Sequence, residues 1–170
     1  MGVRAYYLAV PPPVAEQAEH DEALWGEISF VEQPHLPSLQ LGKGWSTLWY
    51  LLDSAARQPG QSRAPSTLGG LAVMGARPFG RTFCERGLTD PPSGLHGYPR
   101  ALRPVEVVAA SDALGTVTPA AFGEPYDPAR MEPLVYSLAP ADEAWSLFEE
   151  LRGFYQAASE RGDAVVVHVW

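Results

Sequence analysis

The sequence predicts a single α+β domain of 170 residues. Three observations lead to this fold class: a long amphipathic helix followed at once by an apolar strand near the C-terminus, a strand-like segment near the N-terminus, and no linker or repeat between them. At this length a chain buries about two thirds of its unfolded surface. The predicted architecture is a mixed sheet that contains the N-terminal and C-terminal strands and is covered by amphipathic helices.

The C-terminal helix and strand have the clearest pattern. Apolar residues recur at helical spacing after Pro140: Ala144, Trp145, Leu147, Phe148, Leu151, Phe154, Tyr155 and Ala158. This spacing predicts a helix with one buried face. Acidic residues near its start and Arg161 near its end suit the helix dipole, and Gly162 is a typical helix terminator. Residues 164–170 are mostly β-branched without polar alternation, which predicts a strand covered on both faces.

The first third of the chain alternates predicted elements with proline-rich connections. Residues 3–10 have strand composition, and three consecutive prolines end this strand at residue 11. A helix is predicted over residues 13–25, and an irregular connection over residues 28–41. Residues 41–56 predict a second amphipathic helix, in which Trp45, Leu48, Trp49 and Leu52 share a face.

The middle of the chain has weaker patterns. Residues 58–65 predict a surface loop, and residues 68–74 a short strand whose glycines mark a bend or a close approach. Residues 76–100 have no clear period, which is typical of a functional or disordered segment.

Proline-capped helices are predicted after this segment. The first covers residues 104–114, with Val105, Val108 and Ala109 facing inward and Gly115 as its C-cap. Thr118-Pro119 and Asp127-Pro128 each predict the start of a short helix, because a side-chain oxygen precedes a proline already held at helical φ.

Composition excludes several classes of partner. The chain has 20 acidic and 12 basic residues, a formal charge of −8, so neither nucleic acid nor an anionic membrane is expected as a partner. No apolar run approaches the roughly 20 residues that span a bilayer. A single cysteine, Cys84, cannot form an intrachain disulfide, and the sequence lacks a signal peptide, so a cytoplasmic location is predicted.

No motif predicts catalysis, a metal or a cofactor. Residues 42–47 contain glycines, a lysine and hydroxyls, but not at the spacing of a phosphate-binding loop. Ser46 lacks the glycine frame of a nucleophile elbow, and an acidic neighbour disfavours a reactive thiolate at Cys84. The four histidines are far apart: His20, His35, His96 and His168. In its apolar strand, His168 is expected to be a hydrogen-bonded core or interface histidine.

Five residues form the candidate ligand site: Trp45, Ser46, Trp49, Tyr98 and Arg100. The first hypothesis is a small non-catalytic binding or interaction domain that presents an acidic surface and an aromatic groove to a protein partner. The second is a small-molecule site, with or without enzymatic activity, in which the arginine neutralises an anionic group and the other four residues form the wall. Tryptophans at helical spacing are also typical of a core.

Several segments together resemble a known family. They are Met1-Gly2, Tyr6-Tyr7, residues 41–52, Leu68-Gly69-Gly70, residues 97–107, residues 148–155 and residues 162–165. In this order the sequence resembles the YfbM-like family, a bacterial domain of unknown function. The resemblance implies one domain of mixed α and β structure with no established activity or cofactor. The chain departs from the family pattern at Ser46 and Trp49, where histidines are common, and at Arg103, where a capping hydroxyl is expected. Any chemistry that those histidines perform elsewhere is expected to be lost here.

Overall fold

The computed structural model describes residues 4–21, 24, 35–57, 65–78 and 99–169. In this part of the chain there are five strands and seven α-helices. In chain order they are β1 (Ala5–Val10), α1 (Pro12–His20), β2 (Ser38–Gly42), α2 (Trp45–Leu52), α3 (Leu68–Met74), β3 (Arg77–Pro78), β4 (Arg100–Leu102), α4 (Pro104–Gly115), α5 (Pro119–Gly123), α6 (Pro128–Met131), α7 (Ala141–Arg161) and β5 (Ala164–Val169). A 3-10 helix, Ser54–Arg57, follows α2. None of the described helices is both long and apolar enough to cross a bilayer.

The strands form one sheet in the order β2-β1-β5-β4-β3. Strands β1 and β5 pair along their whole length, from Ala5 opposite Val169 to Val10 opposite Ala164. Every residue of these two strands is buried, so the predicted terminal strands are confirmed and lie side by side inside the sheet. The α+β class is confirmed too. The expectation of a mixed sheet is wrong for the described strands, which all pair antiparallel, because residue patterns locate a strand without giving its direction.

Alternate residues of the sheet contact two separate clusters. One face, here called the multi-helix face, packs against α2 to α7 and includes Ala5, Tyr7, Ala9, Leu102, Val165, Val167 and Val169. The opposite face, here called the α1 face, packs against α1 and includes Tyr6, Leu8, Val10, Ala101, Ala164 and Val166. Apolar residues on both faces explain the continuous apolar pattern of β5.

Helix α7 matches its prediction closely. Pro140 precedes its first turn, and Gly162 ends it with a left-handed φ of 72°. Its buried residues repeat at the predicted spacing: Ala144, Phe148, Leu151, Tyr155 and Ala158.

Helix α3 departs most from the sequence-based prediction, because residues 68–74 were expected to be a strand. The Thr67 hydroxyl accepts a hydrogen bond from the Gly70 amide at 2.9 Å, which caps the helix. A short apolar run rich in glycine does not distinguish helix from strand by period. The glycines permit a close approach instead, since a Cβ on Gly70 would lie 1.8 Å from a carboxylate oxygen of Asp53.

Helix α4 has the predicted position but a different buried face. Val107, Ala110 and Leu114 are buried, whereas Val105 is 72% exposed and Val108 is 42% exposed. The helix is apolar around much of its circumference, so its sequence allowed two choices of inward face. Packing against α3 and α7 decides between them. The helix includes Gly115, and its C-cap is the following threonine.

The remaining elements differ from their predicted ranges mainly at their ends. The first helix is Pro12–His20, shorter than the predicted 13–25, and Trp25 lies outside the described residues. The connection expected over residues 28–41 contains the strand Ser38–Gly42, which pairs with β1. The expected loop at 58–65, apart from Pro65, and most of the segment 76–100 lie outside the described residues. Both short helices have the predicted caps, with side-chain oxygens of Thr118 and Asp127 accepting backbone hydrogen bonds.

A pair of glycine substitutions tests the packing of α3. Gly70→Ala forces a methyl group against Asp53, and we expect it to lower the free energy of unfolding by roughly 1–3 kcal/mol, a typical cost of overpacking. Gly153→Ala is the matched control in α7, where a Cβ would meet nothing within 4 Å. This control is expected to stabilise the protein by about 0.5–1 kcal/mol. Urea unfolding measures both, and equal effects would contradict the helical packing described here.

Candidate functional site

The structure places most of the predicted site residues in the interior. Trp45, Ser46 and Trp49 lie on α2 and are buried, and Arg100 is the buried first residue of β4. Tyr98 lies outside the described residues. Helix α2 is buried over residues 45–51, so it is enclosed on all sides rather than amphipathic. The buried polar groups of these residues therefore require hydrogen-bond partners within the protein.

Trp45 and Trp49 stack on each other one turn apart. Their ring centroids are 6.4 Å apart with an interplanar angle of 22°, a favourable stacked arrangement. The indole Nε1 of Trp49 is buried without a hydrogen-bond partner in the described structure. A buried indole N–H normally finds an acceptor, so among the described residues of the predicted wall this donor stands out as unsatisfied.

The hydroxyls of Ser46 and Thr47 hold a distant segment of backbone. Ser46 Oγ donates to the carbonyl of Ser137 and accepts from its amide, both at 3.1 Å. Thr47 Oγ1 donates to the same carbonyl and accepts from the amide of Ala139, both at 2.9 Å. Together they fix the irregular segment between α6 and α7 onto α2. Nothing local marks this role in the sequence, because the partners are about 90 residues away.

Arg100 binds the backbone just beyond the C-terminal end of α3. Its Nε donates to the carbonyl of Gly75 at 3.3 Å, and its Nη2 donates to the carbonyl of Ala76 at 2.9 Å. Gly75 has a φ of 75°, and a Cβ there would lie 2.5 Å from the Cβ of Arg100. The close approach and the left-handed conformation both require glycine. The guanidinium thus lies at the negative end of the α3 dipole.

Two buried tyrosines bind the last turn of the same helix. The Tyr155 hydroxyl donates to the carbonyl of Ala72, and the Tyr7 hydroxyl donates to the carbonyl of Val73, both at 2.8 Å. Burial raises the pKa of both phenols, and the neighbouring Tyr7 raises the pKa of Tyr155 further. We call Tyr7, Tyr155 and Arg100 the C-terminal anchor of α3, because together they satisfy four carbonyls at the end of this helix.

A buried carboxylate holds the other end of α3. Asp53 accepts hydrogen bonds from the amides of Ser66 at 2.7 Å and Thr67 at 3.3 Å, and from the Ser66 hydroxyl. Thr67 Oγ1 also donates to the carbonyl of Leu52 at 2.7 Å. A carboxylate at the N-terminal end and a guanidinium at the C-terminal end both match the dipole of α3.

The described residues contain no group of three or more His, Cys, Asp or Glu side chains arranged to bind a metal. Cys84 and His96 lie outside the described residues. His168 is buried in β5, as expected, and lies directly opposite Tyr6 of β1. Sequence reasoning did not single out Tyr6, since only the strand register shows that the two residues are neighbours.

Comparison with known proteins gives the family. The family model described as "Domain of unknown function (DUF1877)" matches residues 1–168. The chain belongs to this family. Its structure is similar to the crystal structure of YfbM from Escherichia coli, a protein of unknown function, with a TM-score of 0.68 over 98% of this chain and 99% of that chain. The two sequences are 15% identical. No curated protein matches the chain.

The YfbM-like resemblance predicted from the sequence is therefore confirmed. DUF1877 membership and the YfbM likeness establish the family and the fold, and neither assigns an activity to the site residues.

A substitution at Arg100 separates a structural role from ligand binding. Arg100→Met leaves the buried carbonyl of Gly75 and the half-buried carbonyl of Ala76 without this donor, and the loss is expected to cost about 1–3 kcal/mol of stability. The matched control is Arg130→Met at an exposed position of α6, for which a change within about 0.5 kcal/mol is expected. Thermal and urea unfolding measure both variants. Wild-type stability in Arg100→Met would contradict a structural role for this arginine.

Alkaline unfolding tests the two buried phenols. Their pKa values are raised in the folded protein, so their stabilisation is complete below about pH 10, the unfolded value, and is lost as the pH rises further. Above about pH 10, each buried phenol lowers the free energy of unfolding by about 1.4 kcal/mol per pH unit. Tyr7→Phe should reduce the slope by one such contribution, and Tyr7→Phe with Tyr155→Phe by two. Parallel stability profiles for all three proteins would contradict the buried, neutral hydroxyls.

Proposed function

We propose that the chain is a small non-catalytic cytoplasmic domain that binds a protein partner through the outer face of α4. The observation behind this proposal is the exposure of Val105 and Val108, which lie one turn apart on that helix. Exposed apolar side chains on one helix face are a common feature of protein-binding surfaces. Helix α4 is held from behind by α3 and α7, so it can present these side chains without rearrangement.

The charge of the chain suggests the chemistry of the partner. Glu106 and Asp112 lie on the same helix as the two valines, and the whole chain has a formal charge of −8. An apolar patch with acidic surroundings is complementary to a partner surface with an apolar centre and a basic rim. Such a partner would associate faster at low salt, because its charges steer the encounter.

The small-molecule hypothesis is supported less well by the same structure. Arg100 and Ser46 donate to backbone carbonyls of this chain, so neither side chain is reserved for a ligand. The indole N–H of Trp49 is the observation that favours this alternative. A pocket around Trp45 and Arg100 remains a prediction, and melting of the purified chain in the presence of metabolites, nucleotides and divalent metals tests it.

A double substitution on α4 tests the interaction surface. Val105→Ser with Val108→Ser removes the apolar contact, and we expect a partner captured by the wild-type chain to bind at least about tenfold more weakly. The partner is identified by affinity capture, purified, and titrated against each protein by calorimetry. The melting temperature of the variant should change little, since Val105 is 72% exposed and Val108 is 42% exposed.

The matched control is Tyr136→Ser, at a position that is exposed and apolar but lies outside α4. This control should bind the partner like the wild type. Equal affinity of the double variant and the wild type would contradict the proposed surface, as would a partner that loses affinity only with Tyr136→Ser.

A further inference from the structure

We propose that residues 132–139, here called the lid segment, open as one unit while the rest of the domain stays folded, and so control access to the hydroxyls of Ser46 and Thr47. The lid segment joins α6 to α7 and contains neither a helix nor a strand. It is bonded to the first turn of α2. The proposal concerns α2 rather than α4, so it does not depend on the proposed protein-binding surface.

Side-chain hydroxyls attach the backbone of the lid segment to the rest of the described chain. Ser46 Oγ bonds both the amide and the carbonyl of Ser137, and Thr47 Oγ1 bonds the same carbonyl and the amide of Ala139. The Tyr126 hydroxyl donates to the carbonyl of Ala139 at 3.0 Å. These bonds can be exchanged for bonds to water, so the segment can detach without breaking a helix or a strand pair.

Little apolar surface holds the lid segment closed. Of its eight described residues, three are exposed, four are half-buried and Ala139 is buried. Met131 in α6 and Ala144 in α7, on either side of the segment, are both 0% exposed. A segment with few buried apolar contacts opens at a lower free energy than the core around it. The two buried residues are therefore expected to limit the opening at each end.

The closed lid segment covers a polar edge of α2. Ser46 is 3% exposed and Thr47 is 0% exposed. Each hydroxyl both donates to the segment and accepts from it, and both functions become available again when the segment detaches. Ser46 is a residue of the predicted ligand site, so in the closed form the chain itself occupies this hydroxyl. Opening is the step that makes it available.

Native-state hydrogen exchange tests whether the lid segment opens as one unit. The amides of Ser137 and Ala139 bond to different hydroxyls, yet we expect them to exchange with the same free energy, through one opening. This opening should occur at least about tenfold more often than the opening that exposes the amides of β5. It should depend only weakly on urea, because it uncovers little surface.

Removal of one hydroxyl tests the coupling between the two amides. Thr47→Val removes the partner of the Ala139 amide but not that of the Ser137 amide. Exchange at Ser137 should nevertheless rise about tenfold, as expected for the loss of two hydrogen bonds that hold the whole segment. Tyr126→Phe removes the third hydroxyl and keeps the ring. It should raise exchange at both amides about threefold, and it provides the same test if Thr47→Val does not fold.

The matched control is Tyr155→Phe, which removes a hydroxyl bonded to the carbonyl of Ala72 in α3. This bond persists when the lid segment is open, so the variant should accelerate exchange in β5 and leave Ser137 and Ala139 unchanged. Three results would each overturn the proposal. They are exchange of Ser137 only through global unfolding, no acceleration at Ser137 in a folded Thr47→Val or Tyr126→Phe variant, and equal acceleration of the Ser137 and β5 amides in Tyr155→Phe.

Discussion

The fold depends on holding a seven-residue helix, α3, at both of its ends. A helix this short is unstable by itself, because few of its backbone groups have partners within the helix. Thr67 caps the first turn and Asp53 binds the two amides just before it. Tyr7 and Tyr155 bind carbonyls of the last turn, and Arg100 binds the two carbonyls just beyond it. These side chains come from the C-terminal end of α2, the residue before α3, the interior strand β1, the long helix α7 and strand β4, so α3 contacts several elements of the domain.

This arrangement explains why buried polar residues on the multi-helix face look functional in the sequence. A buried arginine and a serine next to a tryptophan are residue types that also form active sites. Here each of them binds backbone groups of the same chain. The proposed interaction surface is instead the exposed apolar face of α4.

The long periodic elements could be predicted from the sequence, and the contacts between elements could not. The spacing of apolar residues located α7 and β5 almost to the residue, because both elements have strong and unambiguous periods. The same reasoning failed for residues 68–74, where glycines needed for contact with Asp53 resembled a strand bend. It also chose the wrong face of α4, since Val105 and Val108 are as apolar as the buried Val107.

The contacts of the candidate site residues could not be predicted for a related reason. Trp45 and Arg100 were selected by residue type, but the hydrogen bonds of Arg100 go to the carbonyls of residues 75 and 76, which are about 25 residues away in the chain. The pairing of Tyr6 with His168 depends on strand register, which no local pattern encodes. A single sequence therefore predicts the elements of this fold better than it predicts which side chains meet.

Native-state hydrogen exchange of α3 is the measurement that tests this account most directly. The amides of Leu71 and Gly75, which bond within and at the end of this helix, should exchange only through global unfolding, with the same free energy as amides of the central strand β5. In Arg100→Met these two amides should exchange through a local opening of lower free energy than that of β5. Fast exchange of the α3 amides in the wild-type chain, while β5 stays protected, would contradict the claim that both ends of the helix are held.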